Sequence, residues 1–274
     1  MSGVKLAALY GIWPFQLGLC GPRERKAKTA LLNYLQGKAT EEKAREILTG
    51  FEAAFPYYCL IAEANDIKDP FDEKVVKAYW VGNELLEKVK ISDLRKMIIE
   101  NFSKPGLLPR EIILKKSKEI PEKSKPHHSF HVLIFGSITG KVPYQAKYLD
   151  LCRISWGKAI GKFQISNPAP ERSPEPERSS VLDQSRTETK FLVRGSKFQI
   201  VVRYRPLVNN KTLKLGRAVQ KEINWDKELM PKVKMGDWVS IHWNNLVQAL
   251  NKEDLANLKK YTKITLKGLS QGAQ

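Results

Sequence analysis

The chain has 274 residues, 42% of them hydrophobic and 28% charged, enough for one large or two ordinary globular domains. No run of about 18 apolar residues occurs, which excludes a helical membrane span, and no membrane partner is expected. The net charge is +18, unevenly spread: residues 1–125 carry 22 basic and 17 acidic groups (+5), and residues 126–274 carry 25 and 12 (+13).

The N-terminal stretch MSGVKLAALYGIWPF is apolar, but Trp13-Pro14 interrupts it and no small-residue cleavage site follows. It reads as a poor signal peptide, and a cytoplasmic protein is expected. YGIWPFQLGLCGP, residues 10–22, holds two prolines, three glycines and Cys20, and reads as a constrained loop leading into a helix. RERKAKTALLNYLQG is that helix, ending at Gly37. TEEKAREILTGFEAAF follows with Thr40 as N-cap and Glu41-Glu42 at the positive end of the dipole. Its Ala44, Ile47, Leu48 and Phe51 recur at helical spacing. Pro56 suits the first turn of PYYCLIAEAN. Asp72 and Ser92 are the expected caps of the next two helices, and LPREIILKKSKEI closes the set before Pro121.

Beyond Lys125 the pattern changes. HHSFH, residues 127–131, runs into VLIFG and reads as extended, because Pro126 precedes it and the apolar run follows. CRISWGKAIGKFQI reads as a twisted strand bending at its glycines. Residues 167–190 contain four prolines and few apolar side chains, the composition of a disordered loop. FLVRGSKFQIVVRYRPLV, GRAVQKEINW and KMGDWVSIHW read as strands, and NKEDLANLKKYTKITL as a final helix capped by Asn251. The expected fold is α+β: a helical domain over residues 1–125, then residues 126–274 as a small antiparallel barrel or curled sheet with a C-terminal helix.

Three cysteines, widely spaced and odd in number, argue against a disulfide framework, and no CxxC pair marks a structural zinc site. Cys20, next to Arg23 and Arg25 and ahead of a helix, is where a lowered thiol pKa is expected. As a nucleophile it would need His128 or His131 as base. A metal reading uses His127 and His131, which share a face if the segment is helical, with Cys20 or Cys152 completing the set through the fold. Tyr10, Arg153, Trp156 and His242 form the candidate ligand-binding group, and an interior Arg153 would require a carboxylate or an anionic ligand. P-loop, GxGxxG, HExxH and GxSxG motifs are absent, so no cofactor can be named.

Between Lys190 and Lys221 lie nine Lys or Arg and no acidic residue. Phe191, Phe198 and Tyr204 interleave there with Arg194, Lys197, Arg203 and Arg205, a pattern that would suit nucleic acid. Simple strand alternation, with aromatic side chains inward and basic ones in water, is the favoured reading.

YGIWPFQLGLCGP, FEAAFPYYCLIAEAN, DPFDEKVVKAYWVGN, HHSFHVLIFG, CRISWGK and GDWVSIHW, in this order, resemble an uncharacterised prokaryotic family of unknown function. The resemblance spans most of the chain outside 167–190. It implies an association with [NiFe]-hydrogenase genes, hence an accessory role with a metalloenzyme subunit as partner. It supplies no catalytic residues.

Overall fold

The computed structural model describes residues 1–164, 198–210, 212–230 and 232–271. The proline-rich stretch 167–190 lies outside them. The helical half comprises α1 (Gly3–Gln16), α2 (Arg25–Leu35), α3 (Glu41–Thr49), α4 (Phe55–Glu63), α5 (Glu73–Trp80), α6 (Leu85–Lys88), α7 (Ile91–Phe102) and α8 (Arg110–Lys118). Thr40 and Asp72 cap α3 and α5 as expected, accepting from the N–H groups of Lys43 and Lys74. Ser92 does not cap: α7 begins one residue earlier, at Ile91, and the Ser92 hydroxyl bonds Asp93 instead.

The first correction concerns residues 10–16, which are helix rather than loop. Ser2 caps α1, and from Leu6 to Phe15 every residue is buried. A helix apolar on all sides belongs at the centre of a core, and α1 packs against α2, α3 and α5. Pro14 sits in its last turns, where the missing N–H leaves the carbonyl of Tyr10, four residues earlier, without an intrahelical donor. Only Leu17–Glu24 connect α1 to α2.

The second correction concerns HHSFH, which is helical. His127 keeps extended backbone and its Nδ1 accepts the N–H of Ser129, so it caps α9 (His128–Phe130). The chain then widens into one π turn, His131–Phe135, closed by Gly136 N–H donating to the His131 carbonyl. Gly136 ends it at φ 74°, a conformation that favours glycine. Because VLIF is enclosed on nearly every side, its continuous apolar run carried no strand preference. A further short helix, α10 (Ala146–Cys152), precedes the sheet.

The strands are β1 (Ser155–Gln164), β2 (Phe198–Tyr204), β3 (Leu207–Asn210), β4 (Thr212–Leu215), β5 (Val219–Trp225), β6 (Trp238–His242) and β7 (Asn245–Leu250), followed by α11 (Lys252–Gln271). Five of them close a barrel in the order β1-β2-β5-β7-β6, with β6 returning to β1. The pairs are antiparallel except β5–β7. With the β3–β4 hairpin set aside, this is the connectivity of an OB-type Greek-key barrel. Ile200, Val202 and Tyr204 alternate into its interior beside Ile223, Trp225, Val239 and Ile241. The architecture is α+β with the helices first. The largest core nevertheless crosses residue 125, joining α1, α4, α5 and α7 to Trp156, Trp243, Val247, Leu258 and Tyr261.

Gly82 shows how closely α11 docks on the helical half. At φ 96°, an added Cβ there would lie 2.2 Å from the Tyr261 ring. Gly37, at φ 75°, has nothing within 4 Å. Gly37→Ala is expected to cost only left-handed backbone strain, about 1 kcal/mol. Gly82→Ala adds the clash and is expected to cost about 3 kcal/mol. Urea unfolding of the two variants tests this, and equal costs would remove α11 from the cooperative core.

Candidate metal centre

Four elements converge where the helical half meets the barrel: α1, the start of α9, the end of α10, and β6. The starting point is the Tyr10 carbonyl that Pro14 leaves free. His242 Nδ1 lies 2.7 Å from it. A carbonyl oxygen only accepts, so the proton is on Nδ1 and the lone pair of the neutral ring is on Nε2. That Nε2 is buried and faces the Cys152 carbonyl, an acceptor that offers its lone pair no proton.

His128 faces His242 edge to face, with ring centroids 5.3 Å apart. Its Nε2 donates to the Cys152 carbonyl at 2.9 Å, so its Nδ1 accepts from the Tyr79 hydroxyl at 3.0 Å. The Cys152 thiol completes the group and meets the indole of Trp243. One ligand atom from each of His128, Cys152 and His242 lies within 4.8 Å of the other two. The three open on a cavity of about 80 Å³, room for more than one water, with Cys20, His131 and Trp243 also in its walls.

Burial sets the protonation states. It pushes His127 down to about 3, His131 and His242 down to about 4, and His128 well below the ordinary imidazole range. It also pushes the Cys152 thiol up to about 12. At neutral pH the site therefore presents neutral imidazoles and a thiol, the forms from which a soft or borderline cation is coordinated once the thiol proton leaves.

The remaining candidates separate. His127 is not in the cluster: its Nδ1 is committed to the cap, its Nε2 faces the Val81 carbonyl, and its ring stacks on Tyr261. The His127–His131 pair is thus not assembled, and His131 instead bonds the Tyr57 hydroxyl through Nδ1 at 3.3 Å. Cys20 lines the cavity, where its surroundings disfavour the expected thiolate. Burial raises its pKa and the neighbouring Cys152 raises it further, while the nearest helix N-terminus begins at Arg25. Among the described residues Cys20 makes no hydrogen bond to His128 or His131.

Tyr10 contributes its carbonyl, while its buried ring stacks on Trp80 and its hydroxyl bonds Ser240. Arg153 finds the carboxylate its burial requires in Asp150, at 3.0 and 2.8 Å, and its guanidinium lies over Trp156. That pair lies away from the cavity. Cys152 is the residue the sequence undervalued; for His242 the available signal was Pro14 inside a helical apolar run, which predicts an orphan carbonyl and a partner for it.

The histidines set a pH dependence. A neutral buried imidazole lets the unfolded chain bind more protons below its ordinary value of about 6.5. Stability is therefore fully present above about pH 6.5 and lost as pH falls toward the folded values, by up to about 1.4 kcal/mol per histidine per unit. Four such groups are expected to remove much of a typical reserve of about 5–15 kcal/mol between about pH 6.5 and 5. Urea midpoints measured across that interval test this, and a flat profile would mean that the imidazoles are accessible to protons in the folded state.

The model of a family of unknown function (DUF6390) matches residues 1–165 and 171–273, nearly the whole chain. No curated protein and no solved structure matches. The chain therefore belongs to that family of unknown function.

Proposed function

We propose that the protein is an accessory factor for metalloenzyme assembly that holds one metal ion at His128, Cys152 and His242. The [NiFe]-hydrogenase association implied by the resemblance names the partner class, a metalloenzyme subunit. The observation that carries the reading is the cluster itself, one ligand atom each of His128, Cys152 and His242 within 4.8 Å of the others, with a buried His242 Nε2 that no donor meets. An unsatisfied buried acceptor costs about 1–3 kcal/mol. A cation removes that cost.

The donor set of one thiolate and two imidazoles selects zinc, copper(I) or nickel over magnesium or calcium. Three protein ligands leave a coordination position open toward the cavity, which suits an ion that is carried and handed on. His242 is already in the ligating tautomer. His128 reaches it by moving its proton to Nδ1, which then donates to the Tyr79 oxygen in place of accepting from it. The cysteine-nucleophile reading has less support, because both cavity thiols are held protonated by burial.

The test is a cobalt(II) titration of untagged, metal-depleted protein, followed by the thiolate-to-metal absorption band. One equivalent is expected to bind. Cys152→Ser is expected to abolish the band, and His242→Gln to weaken binding about 10–100-fold. His127→Gln is expected to bind as the parent does. Unchanged binding in Cys152→Ser and His242→Gln would overturn the proposal.

A further inference from the structure

A second feature lies on the other side of the barrel. A groove of about 990 Å³ runs between the outer face of β1, β2 and β6, the β3–β4 hairpin, and α11. Lys158, Arg203, Arg205 and Lys214 line one wall, and Lys259, Lys263 and Lys267 the other, with no Asp or Glu in the lining. Leu213, Leu215 and Leu266 lie between them with Trp156 and Trp238.

Folding does not call for this arrangement. Lys158 and Arg203 are direct cross-strand partners, a like-charge pairing that opposes the sheet. Lys259, Lys263 and Lys267 stand at i, i+4 and i+8 of one helix, where like charges also repel. Among the described residues none of the seven forms an ion pair with a carboxylate. A chain whose surplus charge served solubility alone has no need to gather it at neighbouring positions around one groove.

We infer that this groove binds single-stranded nucleic acid through its phosphate backbone. The three α11 lysines are about 6 Å apart along the axis, a regular rail for a regularly charged polymer. Five of the seven cations are lysines, point charges suited to tracking phosphates, whereas bidentate capture of carboxylates favours arginine. One of the two arginines is already held, with Arg205 donating to the Gly216 and Leu215 carbonyls. The apolar floor between two cationic walls gives sugars and bases a place to lie. Base stacking contributes little. Tyr204 borders the groove but is nearly buried with its hydroxyl held by Asp150, and Lys259 already covers the Trp238 ring at 4.9 Å. Recognition is thus mainly by charge, with little base preference.

The experiment is fluorescence anisotropy of the full chain with labelled oligouridylate and oligodeoxythymidylate of about 12 nucleotides. Affinity is expected to fall with salt at about −0.7 in log–log slope per phosphate neutralised, approaching about −5 if all seven cations engage. Lys259→Glu/Lys263→Glu/Lys267→Glu is expected to weaken binding more than about tenfold, with the fold checked by circular dichroism. Lys158→Ala/Arg203→Ala, on the opposite wall, is the milder second probe and is expected to lower the salt slope by about 1–2. The control Lys26→Glu/Lys115→Glu/Lys118→Glu makes the same change in net charge outside the groove and is expected to bind within about threefold of the parent. Similar affinity for the two polymers fits a backbone-only groove, and a preference for one names that polymer as the partner. Equal losses in groove and control variants would overturn the inference. So would absence of binding near about 50 mM salt, or displacement of the oligonucleotide by polyglutamate at lower concentration than by unlabelled oligonucleotide.

Discussion

The hydrogen bond from His242 Nδ1 to the Tyr10 carbonyl ties the molecule together. It exists because Pro14 cannot supply the intrahelical donor, and it joins the central helix of the first half to a barrel strand of the second. Around it the same seam is closed by Tyr10 Oη donating to Ser240, by Trp243 N–H donating to the Leu151 carbonyl, and by the Lys77–Asp254 ion pair. With so much of the seam buried, the helices share one core with Trp156, Trp243 and Tyr261 beside a separate barrel interior, and the groups at the junction are shielded from water.

What is trapped there has consequences for function. The four histidines of the chain are all buried, and two of the three cysteines share a cavity with three of those imidazoles. Most of the ring nitrogens are accounted for by local structure. His127 caps a helix, His128 spans Tyr79 and the Cys152 carbonyl, and His131 reaches Tyr57. The His242 bond is different in kind, because satisfying Nδ1 with a carbonyl leaves the lone pair on Nε2, beside the Cys152 carbonyl at the cavity wall. The Tyr10 carbonyl needs only the Nδ1 proton, which leaves Nε2 available for coordination.

The fold was legible where local chemistry is strong. Thr40, Asp72 and Asn251 cap helices as side-chain acceptors, and Pro56 occupies a first turn. Strand alternation correctly sent Tyr204 inward with Arg203 in water. It failed where burial is complete, because a segment enclosed on every side loses the periodicity that separates helix from strand. Residues 10–16 and HHSFHVLIF are the two such segments, and both are helical. They supply His128 and the Tyr10 carbonyl to the site, whose candidate residues were visible as types while their partners were not. Cys152 entered the cluster through α10, a short helix with no sequence signal, and His131 and Cys20 stayed at its rim. The basic groove is similar: Arg203 in β2 and Arg205 just after it were apparent, but α11 is distant in sequence and only the fold brings Lys259, Lys263 and Lys267 opposite them.

The central claim is that the orphan lone pair of His242 and the thiol of Cys152 serve one metal ion. Anomalous diffraction from crystals grown with one equivalent of zinc addresses it without reference to activity. The account predicts a single peak at the seam, at bonding distances of about 2.0–2.1 Å from His242 Nε2 and about 2.3 Å from Cys152 Sγ, with His128 Nε2 turned to join them. Zinc found only on surface carboxylates or at His131, with the Tyr10–His242 bond intact and the cavity unchanged, would contradict it.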